Sequence, residues 1–119
     1  MLKLKILVEN NTYIDHYYLG EPGLSYYIEC DDKRILFDTG YSDAYIQNSN
    51  KMNIDLNCLD YVIISHGHND HTGGLKYLIE KYDTSNTTFI SHPNIFDEKH
   101  HKNLLHSSYF LLFLYKFKQ

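Results

Sequence analysis

Tryptophan is absent from this chain, and proline and cysteine are nearly so, at two residues each. Two prolines and six glycines are too few for a collagen-like or Pro/Gly-rich disordered polymer. Cys30 and Cys58 are only two thiols, neither in a C-x-x-C pair, and a chain of this size has no need of a single disulfide to fold. Both thiols are therefore expected to be reduced and buried, in a cytosolic protein. Blocks of like charge are also missing: 15 acidic and 11 basic residues are scattered to a net charge of −4, so no electrostatic footprint for nucleic acid or anionic lipid exists. Nor is there a long apolar run. Tyr109 to Tyr115 is the longest, far short of the ~20 residues that span a bilayer, and Met1 to Ile6 alternates lysine with apolar residues instead of forming a signal-peptide core. Neither a membrane span nor export is expected.

What is present suffices for one globular domain. A chain of 119 residues, 43% of them hydrophobic, buries roughly two-thirds of its unfolded surface. Leu2, Leu4, Ile6 and Val8 recur at the two-residue period of a strand with one face on a core. Leu24 to Glu29 and Arg34 to Asp38, on either side of Asp31-Asp32-Lys33, read as a hairpin. Ser42 or Asp43 is placed to cap a short helix through Ala44, Tyr45 and Ile46, and Asn50 to Asn57 is turn-prone. Tyr61 to Ile64 has the apolar, β-branched character of a strand in the middle of a sheet. From Gly74, Leu75, Leu78, Ile79 and Tyr82 fall on one helical face. Thr87 to Ser91 is strand-like, and Asp97 to His106 suits a polar helix. The order β-β-β-α-β-α-β-α implies an α/β fold with sheet and helices in layers. No repeat, linker or low-complexity tract interrupts it. Ser107 to Gln119 reads as either a buried strand or a foreign tail.

The densest chemistry is Ser65-His66-Gly67-His68-Asn69-Asp70-His71-Thr72-Gly73-Gly74, lying between a strand and a helix. Three imidazoles and a carboxylate within six positions match the donor preferences of zinc and similar ions. In an extended loop His66 and His68 point to the same side, with Gly67 adding no bulk. Asp70 and His71, from the start of the next helix, are placed to grip a second ion. Gly73 and Gly74 weaken a helix start, a cost that makes sense where the loop backbone must approach the metal and the neighbouring strand closely. Solvated histidines with Asp70 as a helix cap would explain one residue, not four.

His66-Gly67-His68-Asn69-Asp70-His71 resembles the H-x-H-x-D-H signature of the metallo-β-lactamase superfamily, and Leu36-Phe37-Asp38-Thr39-Gly40 resembles its D-T-G strand end. Together with Gly23-Leu24-Ser25-Tyr26 and His92-Pro93, these motifs are similar to the dihydropterin ribofuranosylaminobenzene phosphate synthase-like branch. The resemblance spans residues 1 to 106 and corresponds to the N-terminal half of the family's αββα sandwich, so the domain, residues 1–119, reads as truncated at its C-terminus. It implies that His66 and His68 bind one metal and Asp70 and His71 a second. Zinc is the expected ion, with manganese or iron as alternatives. A metal-bound hydroxide would then attack an ester, amide or phosphoester of a small-molecule substrate, with Asp70 orienting or deprotonating the water. Asp38 would be a buried carboxylate that orders the metal loop, or else a plain strand-end turn former.

The family's further ligands, another histidine on the first metal, a bridging carboxylate and a last histidine on the second, have no counterpart after Asp97. A homodimer or a separate C-terminal half would have to supply them; the alternative is an inactive remnant that binds metal weakly or not at all. A nuclease would call for a basic groove that the charge does not offer. His92 is placed either to line the pocket or to sit in a surface turn. His100, His101 and His106 read as solvated helix residues, and His16 has no assigned role.

Overall fold

The structure, a computed structural model, describes residues 2–10 and 18–92. Among them are five strands, β1 (Leu2–Val8), β2 (Ser25–Cys30), β3 (Lys33–Phe37), β4 (Tyr61–Ile63) and β5 (Thr88–Ile90), and three helices, α1 (Ala44–Lys51), α2 (Asn69–Thr72) and α3 (Leu75–Lys81). The strands form one sheet in the order β1-β2-β3-β4-β5. β1, β2 and β3 pair antiparallel, and β3, β4 and β5 pair parallel. The expected α/β layering is present. The expected helix over Asp97 to His106 and the tail from Ser107 lie outside the described residues, as do Pro93, His16, His100, His101 and His106.

Local chemistry explains the elements. The β2–β3 hairpin closes through Asp31 and Asp32, whose φ angles of 48° and 70° give the doubly left-handed turn that matches strand twist. On one sheet face Tyr27, Leu36 and Val62 are buried together with Tyr45 and Ile46 of α1 and Leu75, Leu78 and Ile79 of α3. The periodicity of α3 is thus the imprint of this core. Buried Tyr45 donates its hydroxyl to the Gly74 carbonyl at 2.8 Å, and burial pushes its phenol well above the usual range, keeping the donor protonated.

Three expectations are corrected. α1 is longer than the capping pattern suggested, because its second half is anchored by a buried polar residue instead of an apolar stripe. Asn48, 1% exposed, donates to the carbonyls of Leu7 and Leu19 at 2.8 Å each and accepts from the Leu19 N–H at 2.9 Å. The cap itself is indirect: Ser42 Oγ accepts from the Ala44 N–H at 3.1 Å, while the Asp43 carboxylate takes Gln47 Nε2 at 3.0 Å. Second, the apolar side of β1 does not meet the core. Leu2, Leu4 and Ile6 are exposed, and the register shifts between Ile6 and Val8, so that Leu7 and Val8 are the residues buried. Third, the thiols are not buried: Cys30 is half-buried beside the hairpin and Cys58 is exposed at a left-handed position, φ 57°.

Asn48→Ala is expected to cost about 1–3 kcal/mol, since it leaves the buried Leu7 carbonyl without its partner and releases the part-buried carbonyl and N–H of Leu19. Urea denaturation followed by circular dichroism measures this; an unchanged midpoint would mean that the polar anchor carries no weight.

Candidate metal centre

The site is assembled where β3 and β4 end side by side. Immediately after β3, Asp38 adopts φ 58°, a left-handed conformation that aspartate tolerates better than most residues, and is 0% exposed. Its main chain is fixed from both sides: its N–H donates to the Ile63 carbonyl at 2.8 Å, and its carbonyl accepts from Ser25 Oγ at 2.8 Å. The carboxylate takes the Ser65 N–H at 2.7 Å, the Ser65 hydroxyl at 2.6 Å and His71 Nδ1 at 2.7 Å. A buried negative charge with three partners of this kind is well supported, and each partner belongs to the histidine-rich loop or its flank.

His71 is consequently held by one ring nitrogen. With Nδ1 protonated toward Asp38, Nε2 keeps its lone pair and points to the Asp70 side, 3.4 Å from Asp70 Oδ2. The His66 ring lies 4.0 Å from that of His71, centroid to centroid, and its Nδ1 contacts Ser65 Oγ at 2.9 Å. Burial, followed by the neighbouring charges of His71 and His68, lowers the pKa of His66 and so favours the neutral ring that a metal requires. Ligand atoms of His66, Asp70 and His71 all lie within 4.8 Å of one another. Two imidazole nitrogens and one carboxylate oxygen within that span fit a zinc-like ion.

His68 and His92 stand apart from this cluster. His68 precedes α2 and is exposed, with its ring edge-on to His66 at 4.8 Å; its carbonyl accepts the His71 and Thr72 N–H groups at 3.0 and 3.1 Å. His92 follows β5 and is exposed; because β5 runs parallel to β4, it leaves the sheet at the same end as the loop. His66 thus comes within reach of Asp70 and His71, and its ring also lies against that of His68.

Of the residues that support the loop, Thr39 and Leu24 fall inside the motifs that carry the resemblance, whereas Glu21 gave no local signal in the sequence. Thr39 receives the backbone of His71 twice, through its N–H at 2.8 Å and its hydroxyl at 2.9 Å to the same carbonyl. Leu24 N–H donates to the Asp70 carbonyl at 3.2 Å. Glu21 braces the turn after Asp38, taking the Tyr41 N–H at 2.7 Å, the Ser42 N–H at 3.1 Å and the Ser42 hydroxyl at 2.6 Å. The two glycines admit a close backbone approach, but to the 39–42 turn after β3: a methyl on Gly73 would strike the Tyr41 carbonyl, and one on Gly74 the Thr39 carbonyl.

Comparison with known proteins places this geometry among relatives. The family described as the Metallo-beta-lactamase superfamily matches residues 18–103. A protein of Methanocaldococcus jannaschii, MJ0448, is 38% identical over 100 residues, covering 84% of this chain and 38% of its own length. The same organism's 7,8-dihydropterin-6-methyl-4-(beta-D-ribofuranosyl)-aminobenzene-5'-phosphate synthase is 37% identical over 100 residues, covering 80% of this chain and 34% of its own length. Among solved structures, Tm1679, described as a metal-dependent hydrolase of the beta-lactamase superfamily, superposes with a TM-score of 0.55 at 38% identity over 65% of this chain and 27% of that one. The chain thus spans little more than a third of the length of the curated relatives it matches.

Proposed function

The chain belongs to the metallo-beta-lactamase superfamily, and from that membership and the donor cluster we propose that it is the metal-binding part of a hydrolase acting on a small ester, amide or phosphoester. The observation that carries this reading is His71, fixed through Nδ1 by buried Asp38 with its Nε2 turned toward Asp70 and next to His66. His66, Asp70 and His71 are the donors for a first ion, and His68 stands beside them as a donor to the same ion or a second. Zinc, or manganese or iron in its place, would supply the Lewis acidity that lowers the pKa of water toward neutrality.

Asp38 holds the proton of His71 Nδ1 and with it the ring's orientation. Asp70, whose side chain is 42% exposed, is the residue accessible to orient an attacking water or accept its proton. The net charge of −4 gives no basic groove, which favours a small substrate over nucleic acid.

Protein purified without added metal is expected to carry near-stoichiometric zinc by mass spectrometry. His66→Ala, Asp70→Ala and His71→Ala should each lower metal affinity by at least the ~100-fold that loss of a supporting group can cause, and His68→Ala by less. Folded wild-type protein that takes up no metal would sink the hydrolase reading. Metal uptake without turnover of p-nitrophenyl esters or phosphodiesters would overturn the catalytic part of the reading and leave the metal site.

A further inference from the structure

Ser65 sits just past the end of β4, and its hydroxyl stands between two groups of the centre. Its Oγ lies 2.6 Å from Asp38 Oδ2 and 2.9 Å from His66 Nδ1. A hydroxyl has one proton to give, and an ionised carboxylate can only accept. The proton of Ser65 therefore goes to Asp38, on the oxygen that also takes His71 Nδ1. What Ser65 Oγ turns toward His66 is a lone pair, so His66 Nδ1 is the donor in that contact. A neutral imidazole with its proton on Nδ1 carries its free lone pair on Nε2. His71 reaches the same state by direct contact with the same carboxylate oxygen.

We propose that Ser65 is a positioning residue of the metal centre, whose hydroxyl extends the hold of Asp38 to His66 and fixes the tautomer and orientation of that ring. This rests on the reading of His66 as a metal donor. One buried carboxylate oxygen then sets both imidazoles, His71 at first hand and His66 through the hydroxyl. The tether matters more for His66, which is exposed, than for His71, whose side chain is only 15% exposed. The rings of His71 and His68, at 4.0 and 4.8 Å, crowd His66 without settling which nitrogen is protonated. Ser65 has a second link to Asp38, its main-chain N–H on Oδ1 at 2.7 Å. The hydroxyl can thus be removed while the loop stays attached.

Nitrogen-15 NMR of the imidazoles in the full-length, metal-stripped chain at about pH 8, where an ordinary histidine is neutral, reads the proton directly. Wild-type His66 is expected to show a protonated Nδ1 and a bare Nε2. Ser65→Ala should lose that signature and keep that of His71, with unchanged circular dichroism. Its zinc affinity, from competition with a chromophoric chelator, should fall about 10–100-fold. Ser65→Thr, which keeps the hydroxyl, should restore both. A wild-type His66 protonated on Nε2 would overturn the proposal, and this decides the matter if Ser65→Ala does not fold. A folded Ser65→Ala protein with the wild-type spectrum or the wild-type zinc affinity would overturn it equally. Wild-type protein that takes up no zinc defeats the metal-donor reading and this inference with it, a failure seen before any variant is made.

Discussion

Gly74→Ala is expected to produce a chain that no longer folds cooperatively at ordinary temperature. Gly74 has φ −82°, so an alanine there would meet no backbone penalty; the obstacle is space. An added Cβ would be driven into the Thr39 carbonyl, and would come within 2.5 Å of Tyr45 Cε1 and 2.7 Å of the Ser42 carbonyl. None of these can retreat. The Thr39 peptide is held by His71, the Gly74 N–H donates to Gly40 at 3.2 Å, and Tyr45 is 0% exposed with its hydroxyl on the Gly74 carbonyl. Overpacking a rigid interior costs about 1–3 kcal/mol, and contact with fixed backbone puts this case at or above the upper end. That is a large part of the total stability of a small domain. A urea midpoint close to that of the wild type would show that the 39–42 turn and the start of α3 are not in fact locked together.

Asp38→Asn carries the second large effect, on two quantities at once. The carboxylate offers two acceptor oxygens to three donors: Ser65 N–H on one, Ser65 Oγ and His71 Nδ1 on the other. An asparagine of the same size offers one acceptor, and in either orientation its NH₂ faces a donor. Loss of this buried charge is expected to lower stability by about 3 kcal/mol, within the range for breaking a buried ionic partner. Zinc affinity of the folded protein should fall 10–100-fold, because His71 loses the group that sets its tautomer and ring angle. Chemical denaturation gives the first number and competition with a chromophoric chelator the second. If stability falls and affinity does not, Asp38 is a turn former at the end of β3 and nothing more.

The sequence revealed most where the physics is local. The Asp31-Asp32 hairpin, the strand before the histidines and the helical spacing of Leu75, Leu78 and Ile79 each follow from short-range periodicity or turn chemistry, and all three are in the structure. Asp38 stood out through the resemblance of Leu36-Phe37-Asp38-Thr39-Gly40 to the family's strand end. What stayed hidden depends on distant partners. Asn48 extends α1 by reaching Leu7, 41 positions away, and Glu21 braces a turn 20 positions on. Polar residues recruited across the fold leave no period behind them. The first half of β1 misled for the opposite reason: its alternation is genuine, yet the face it defines is the one the described helices leave open.

β3 joins two kinds of pairing, and this governs the order in which the centre can come together. On one side it meets β2 across a two-residue turn, a closure that involves little chain. On the other it meets β4 in parallel, which requires the whole α1 crossover to be laid down first. Asp38 lies 27 positions from Ser65 and 33 from His71, so the contacts of its carboxylate belong to the slower, nonlocal closure. A chain that has formed only its hairpins has no metal site at all, and an ion that binds the finished cluster stabilises the parallel half of the sheet by mass action.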